Sequence, residues 1–332
     1  MLMRLLPAVT GQGLITRSAA IEAGYDDRDL RRLVRAGSWV RLRRGVYVDG
    51  DRWAELDPYR GQPLLRVHAA RLVIQCTDYV FSHDSAAIAH RMGAPDPVHA
   101  QTHITRRKVH GDADRAGIKH HLAPYTDHQV TVVDGLPVLD LARTGLDMAR
   151  EHGLVAGTAC CDAALRLGAS RGDLHAARER MWCWPESKVM DAAIAIADPG
   201  AESWLESAGR VLVTGLNIGR PETQFGLFDG RRTVWCDLRV GRHIFEVDGR
   251  GKYSPADPDG KDAAQVLWEE KKRQDFITGF KLGVSRITAA DCRTNQSAAR
   301  RRLMREYADT CARFGTDISD LAPFVVVRRP LR

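Results

Sequence analysis

The stretch HIFEVDGRGKY, residues 243–253, carries two acids inside an otherwise apolar run with the composition of a strand. Glu246 and Asp248 lie two residues apart, and the basic turn from Gly249 to Lys252 follows them. Because side chains alternate along a strand, both acids point to the same side of a sheet. The pattern indicates either a charged surface or a site that binds a cation or a proton.

A second strand with an acid, TVWCDLRV, precedes this one. If Gly241 opens a two-residue turn, as glycine does in type II′ hairpins, Asp237 falls directly opposite Glu246. Cys236 and Leu238 then lie together on the other side of the hairpin. We therefore expect one face of the hairpin to pack and the other face to carry the acids.

Carboxylates that face each other across a strand pair, with Cβ atoms about 4.5 to 5.5 Å apart, repel unless a proton or a cation compensates. Mg²⁺ is the simplest compensation, since it binds a few carboxylate oxygens and keeps several waters. The alternative is a solvated surface hairpin in which Arg239 and Arg242 balance the acids. The residues alone leave both interpretations open.

An amphipathic helix of some thirteen residues is predicted after the break at Asp198–Gly200, because apolar residues recur there at intervals of three and four. Glu202 and Glu206, four apart, lie side by side along the edge of its buried stripe. Three strand candidates, a helix, a fourth strand and an arginine-rich helix follow. This order predicts an α/β core over residues 198–332.

The N-terminal region, residues 1–55, has the element order of a winged helix-turn-helix module. A short helix capped by Thr16, a turn at Gly24, a second helix from Asp26 or Asp27 that stops at Gly37, and two strands follow one another. Arginines crowd the second helix and the wing: Arg28, Arg31, Arg32, Arg35, Arg41, Arg43 and Arg44. Because phosphate contacts dominate affinity for nucleic acid, this stripe predicts binding to double-stranded DNA. Protein docking is the alternative.

The middle region, residues 56–190, mixes helical stretches with short strands and predicts an α+β domain. Its histidines show neither HxH nor HExxH spacing on a helix, so the sequence assigns them no metal site. They are His83, His90, His99, His103, His120 and His121.

Length, charge and cysteine use limit the class of protein. A chain of 332 residues exceeds one ordinary core, and a formal charge of +7 suits a polyanionic partner. The seven cysteines show no CxxC spacing, and no run approaches about 18 consecutive apolar residues. We expect a cytoplasmic, multi-domain α/β protein without a membrane partner.

Three stretches resemble one family: GLITRSAAIEAGYDDRDLRRLVRAGSWVRLRRGVYV, FSHDSAAIAHRMG and GLPVLDLARTGLDMA. They look like the winged helix and following domain of AbiEi-type proteins, the antitoxin and autorepressor component of an abortive-infection toxin–antitoxin system. The resemblance implies DNA binding and an association with phage defence, with a toxin or phage protein as a further partner. It supplies no catalytic residue.

Six motifs of the C-terminal region occur in one order: GAESWLES, PETQ, CDLRV, FEVDGRGKY, EEKKRQDFITGF and VSRIT. This set, over residues 198–315, resembles the Vsr-related branch of the PD-(D/E)xK nuclease superfamily. The resemblance implies a restriction-endonuclease-like fold and a DNA endonuclease that depends on Mg²⁺ or Mn²⁺. It implies that Asp237 and Glu246 hold the metal, and that Glu202, or Glu206 in its place, completes the shell.

One departure from the superfamily pattern affects the catalytic interpretation. The second position after the strand acid is usually lysine, and here it is Asp248, with Lys252 four residues later. Either of these residues would orient the attacking water. Four further residues occupy positions at which the family carries polar residues around its site. They are Gln224, Lys271, Arg273 and Arg286. Arg286, on an apolar strand, is expected to be a buried partner of one of the acids or a phosphate clamp.

Two functions from different classes follow. The first is a DNA-binding, metal-dependent endonuclease. The second is a transcriptional repressor or antitoxin that keeps the nuclease fold without the activity, and the displaced lysine favours it.

Overall fold

The structure is a computed structural model that describes residues 7–107, 113–248 and 263–326. The chain forms two compact units, Met1–Ile194 and Ala195–Arg332. Helices and sheets occur in both, which confirms the predicted α/β class. The candidate catalytic residue Lys252 lies outside the described residues. Within the described ranges, no helix is both long and apolar enough to cross a bilayer.

The N-terminal unit begins with a winged helix. Its elements are β1 (Leu14–Thr16), α1 (Arg17–Glu22), α2 (Asp27–Arg35), β2 (Trp39–Arg43) and β3 (Val46–Asp49). The side chain of Thr16 accepts a hydrogen bond from the Ala19 amide at 3.2 Å, so the predicted cap of α1 is confirmed. Asp26 caps α2, and the Asp29 carboxylate accepts a hydrogen bond from the Asp26 amide in a capping box.

One face of α2 packs and the opposite face is exposed. Leu30 is buried with Ile15, Trp39 and Tyr47, and burying a leucine contributes about 2 kcal/mol. The strands pair antiparallel in the order β1-β3-β2 beneath the helices. This packing orients the second helix with its arginine-bearing face outward.

The middle region of the same unit is an α+β arrangement. Its elements are α3 (Gly50–Glu55), α4 (Gly61–Arg71), β4 (Val80–Phe81), α5 (His83–Ala89), β5 (Thr102–Arg106), β6 (Ala113–Arg115), β7 (Ile118–Leu122), β8 (Val130–Val133), β9 (Leu136–Leu139), α6 (Leu141–His152), α7 (Leu154–Arg166) and α8 (Arg171–Glu179). The described strands form a sheet in the order β6-β7-β5-β4-β9-β8, in which β5 pairs parallel with β7. Phe81, Ile104 and Leu136 lie in its fully buried core.

The C-terminal unit is a mixed sheet with helices. After α9 (Ser187–Ile196) its elements are α10 (Trp204–Thr214), β10 (Glu222–Phe228), β11 (Thr233–Val240), β12 (His243–Asp248), α11 (Ala263–Gly279), β13 (Gly283–Thr288), α12 (Ala289–Arg293), α13 (Gln296–Phe314) and β14 (Val325–Val326). The strand order is β13-β12-β11-β10-β14, and only the β12–β13 pair of this described sheet is parallel. Gly209 lets α10 lie close to β12, since a Cβ there would sit 2.9 Å from a Val247 methyl.

Candidate functional site

The outer face of α2 and the wing present a basic surface. Arg32 is 69% exposed and also donates to the Asp29 carboxylate at 2.9 Å, which holds the start of the helix. The arginines that the structure exposes are Arg28, Arg31, Arg32, Arg35, Arg41 and Arg44. A surface of this kind suits contacts to phosphate groups.

Arg43 differs from the other arginines of this set because it is half-buried. Its guanidinium donates to the carbonyl oxygen of Ala116 at 3.0 Å and also contacts Thr102 and Gly117. Burial lowers the pKa of Arg43. The side chain therefore ties the wing to β5 and the β6–β7 turn, and we assign it a structural role in place of the predicted phosphate contact.

The turn between β11 and β12 is the one that the sequence predicts. Gly241 has φ +55°, and the pairs run from Val240–His243 to Leu238–Phe245. The described ladder ends there, one position before Asp237 and Glu246. Instead of a ladder pair, the Asp237 carboxylate accepts a hydrogen bond from the Val247 amide at 2.7 Å.

The alternation of side chains along β11 breaks at Asp237. Leu238 pairs with Phe245, whereas Cys236 packs in one core cluster with Ile244, the neighbour of Phe245 that points the other way. The prediction that Cys236 and Leu238 share a face is therefore wrong. The physical reason lies on β10, where Gln224, level with Asp237, adopts φ +52° and interrupts the pairing with β11.

Asp237 is held in an unfavourable electrostatic environment. Burial and, next, the negative charge of Glu246 raise the pKa of Asp237 to about 7, although the Val247 hydrogen bond opposes the change. Glu206 adds a smaller contribution of the same sign. Acidic residues whose pKa is raised by burial and by a neighbouring carboxylate are common at functional sites.

Glu246 faces α11 and is paired with a cation there. Both of its carboxylate oxygens accept hydrogen bonds from Arg273 Nη2 at 2.8 Å, and the same nitrogen donates to the Trp235 carbonyl at 2.7 Å. Burial raises the pKa of Glu246, and Arg273 opposes that rise. The prediction of one packing face and one chemical face is thus wrong, because Glu246 lies beside the core cluster that contains Cys236.

The expected helix acid, Glu202, lies outside the helix. Ser203 is the cap of α10, with its hydroxyl accepting from the Glu206 amide at 3.1 Å, so the helix begins after Glu202. Glu206 turns back to accept from the Ser203 hydroxyl and the Glu202 amide, each at 2.8 Å, and Gln224 donates to it at 3.4 Å. The Ser-x-x-Glu spacing of a capping box could have revealed this boundary from the sequence.

The basic residues of this unit pair differently from the expectation. Arg239 pairs with Glu222, and Arg242 with Asp320, so neither is the partner of Asp237 or Glu246 that the surface-hairpin interpretation requires.

Arg286 lies level with Glu246 on the neighbouring strand β13, but its guanidinium pairs elsewhere. Arg286 is about one-third exposed and pairs with Glu270 of α11, which corrects the prediction of a buried partner for a catalytic acid. Lys271 is exposed on α11.

The acids of the β11–β12 hairpin provide some of the ligands that a divalent cation requires. Asp237 and Glu246 are adjacent, partly buried carboxylates, and Mg²⁺ often binds through one or two such groups. Across the described ranges, however, no three of the acids bring ligand atoms within reach of one ion. Asp248 ends β12 and is partly buried.

A second cluster, which the sequence did not reveal, lies in the N-terminal unit. His83 begins α5, His103 lies on β5 and His121 on β7, and all three are buried. His103 Nδ1 and His121 Nε2 are 3.0 Å apart, and the His83 ring stacks on His121 with centroids 3.8 Å apart. Because three separate elements supply them, their sequence spacing carries no signal.

Acidic and basic groups surround these histidines. Burial lowers the pKa of His103 to about 4 and that of His83 well below its usual value, so both rings are neutral at pH 7. Asp84 accepts from His152 at 2.7 Å and lies 3.4 Å from His103 Nε2. Burial opposes a charge on His152, but the hydrogen bond and charge of Asp84 outweigh it and raise the pKa of His152.

The arrangement in residues 14–49 is that of a winged helix module. Residues 3–48 match the model of a family described as a transcriptional regulator, the AbiEi antitoxin. Among solved structures, the chain is similar to the RV2827C protein from Mycobacterium tuberculosis, with 15% identity and a TM-score of 0.35 over 57% of this chain and 80% of that one. No curated protein matches the chain.

Proposed function

We propose that the chain is a DNA-binding transcriptional regulator of the antitoxin type, which represses from a discrete operator. The observation that carries the proposal is the exposed arginine face of α2, within the stretch that matches the AbiEi regulator model. In such modules the second helix enters the major groove and the wing follows the backbone. The operator would lie upstream of its own gene, and a toxin would be the protein partner.

Removing Arg31 and Arg35 should weaken DNA binding roughly tenfold or more at 0.15 M salt, because both residues lie exposed on one side of α2. The plot of log affinity against log salt has a negative slope, and each lost phosphate contact should reduce the magnitude of that slope by about one. Fluorescence anisotropy with the upstream duplex, at several salt concentrations, measures both quantities for Arg31→Ala with Arg35→Ala.

A double variant of equal charge serves as the control. Arg180 and Lys188 are exposed in the same unit and do not belong to the winged helix, so Arg180→Ala with Lys188→Ala should bind as wild type does. Footprinting should show one protected site that is the same with EDTA and with Mg²⁺. If the Arg31/Arg35 variant keeps wild-type affinity and salt slope, α2 does not contact DNA and protein docking becomes the better interpretation.

A second candidate function, metal-dependent cleavage of DNA, is favoured by the juxtaposition of Asp237 with Glu246 and Glu206. Asp237 and Glu246 would hold Mg²⁺ or Mn²⁺ once Arg273 releases Glu246. A bound ion supplies charge neutralisation in the transition state of phosphodiester hydrolysis. Asp248 or Lys252 would orient the attacking water.

In this second function, the wild-type chain with Mg²⁺ or Mn²⁺ should convert supercoiled plasmid to nicked or linear DNA. Asp237→Ala and Glu246→Ala should each slow the conversion about 100-fold or more, since each removes several kcal/mol of transition-state stabilisation. Both variants should still bind DNA. Asp275→Ala, at an exposed acid on α11, is the control and should cut as wild type does. Plasmid and phage DNA left intact by folded, DNA-binding wild-type protein would leave the regulator as the sole function of the two.

A further inference from the structure

We infer that His83, His103 and His121 form a binding site for a divalent transition-metal ion, with Zn²⁺ as the first choice. Each of these histidines offers a ring nitrogen, and the three nitrogens lie within 4.8 Å of one another. These residues are between 2% and 8% exposed, so the cluster is shielded from bulk solvent. Three imidazoles with a fourth position for water is a common zinc arrangement.

The distance between two of the ligand atoms already matches a shared ion. Zn–N bonds of about 2.0 to 2.1 Å in tetrahedral geometry place two nitrogens roughly 3.3 Å apart. His103 Nδ1 and His121 Nε2 are 3.0 Å apart. An increase of a few tenths of an ångström in this distance would let both nitrogens bind the ion. The ligand nitrogen of His83 lies within 4.8 Å of the other two, and binding the ion requires its ring to tilt out of the stack with His121.

The surroundings of His103 are those of a metal ligand. With Nδ1 turned to the site, its Nε2 faces the Asp84 carboxylate at 3.4 Å, and Asp84 is itself held by His152. Ser85 accepts a hydrogen bond from the His103 backbone amide at 2.8 Å, which fixes the strand against α5. A carboxylate next to the ring nitrogen that does not bind the metal sets the tautomer and the orientation of a histidine ligand.

A buried hydroxyl on the same side of the sheet supplies a second observation. Thr105 follows His103 by two residues on β5 and lies level with His121 on β7, so the three side chains share a face. Among the described residues, the Thr105 hydroxyl has no hydrogen-bond partner although it is buried. A water in the fourth position of the ion would provide one.

The test is metal binding by the full chain after chelator treatment. Zn²⁺ titration against a chromophoric chelator should give one ion per chain, and Co²⁺ should give the visible absorption of a tetrahedral site. His103→Gln and His121→Gln should weaken binding about 100-fold or more, and Asp84→Asn about 10- to 100-fold. His99→Gln, at an exposed histidine, is the matched control and should bind as wild type does.

The wild-type chain alone keeps the test decisive if a glutamine variant does not fold. Saturating Zn²⁺ should raise its Tm, because an ion that binds the folded chain stabilises it by mass action. Folded wild-type protein that takes up no Zn²⁺ and shows no change in Tm would overturn the inference, and so would a folded His121→Gln variant with wild-type affinity. In either of these cases the histidines are a stacked and hydrogen-bonded cluster that packs the interior of the domain.

Discussion

Replacing Asp237 with asparagine should stabilise the C-terminal unit at pH 8 by about 2 to 4 kcal/mol and leave its stability at pH 4 almost unchanged. Asparagine keeps an oxygen that can accept the hydrogen bond from the Val247 amide, but it carries no charge. The wild-type cost follows from the pKa of Asp237, which is raised from 3.8 to about 7. Each tenfold change in proton affinity is worth about 1.4 kcal/mol, and partial exposure of the side chain reduces the total.

The sign of the pH dependence is set by which state binds the proton more tightly. Between about pH 4 and pH 7 the folded chain keeps a proton on Asp237 that the unfolded chain releases. Wild-type stability should therefore fall as the pH rises through this window, and Asp237→Asn should remove that fall. Hydrogen exchange of the β11 and β12 amides measures the effect within this unit.

Asp229→Asn is the matched control, because Asp229 lies on an exposed turn of the same unit. Hydrogen bonds from the Arg232 and Arg231 amides lower the pKa of Asp229, so its contribution has the opposite sign and is lost as the pH falls. Identical pH profiles for wild type and Asp237→Asn would show that Asp237 carries no electrostatic cost. The candidate site would then lose its main physical argument.

Replacing Asp147 with alanine should destabilise the N-terminal unit by about 3 to 5 kcal/mol, because it leaves a buried cation without its counter-ion. Arg143 Nε donates to Asp147 at 3.0 Å, and the two side chains are 1% and 0% exposed. Arg143 also donates to the Pro124 carbonyl at 3.2 Å and lies over the Trp184 ring. Chemical denaturation followed by circular dichroism measures the loss.

An exposed ion pair of the same unit provides the comparison. Asp191 pairs with Arg178 but is 58% exposed, so Asp191→Ala should cost no more than about 1 kcal/mol. The double variant Arg143→Met with Asp147→Leu should cost less than the sum of the single changes, since no fully buried charge of the pair then remains and only the partly exposed Arg150 loses its contact with Asp147. If Asp147→Ala is as mild as Asp191→Ala, the buried pair is not a major source of stability.

Much of the fold follows from local patterns that the sequence shows directly. The caps at Thr16 and Asp26, the strands of the wing and the turn at Gly241 all depend on residues within a few positions of one another. The predicted start of α10 is too early, although the Ser203 and Glu206 spacing carries the signal for the boundary. Hydrogen bonds over short spacings, from a capping side chain to the backbone or within a turn, decide these features, so composition and spacing predict them.

The sequence by itself determined which residues were available for chemistry, namely the arginines of α2 and the acids of the β11–β12 hairpin. Only the tertiary structure decided their partners. It placed the half-buried Arg43 against the Ala116 carbonyl, turned Glu246 toward Arg273, and placed His103 beside His121. Such contacts join elements from 18 to 73 residues apart in the chain. No local spacing encodes them, because packing and the exclusion of water select the partner of a buried charge or ring.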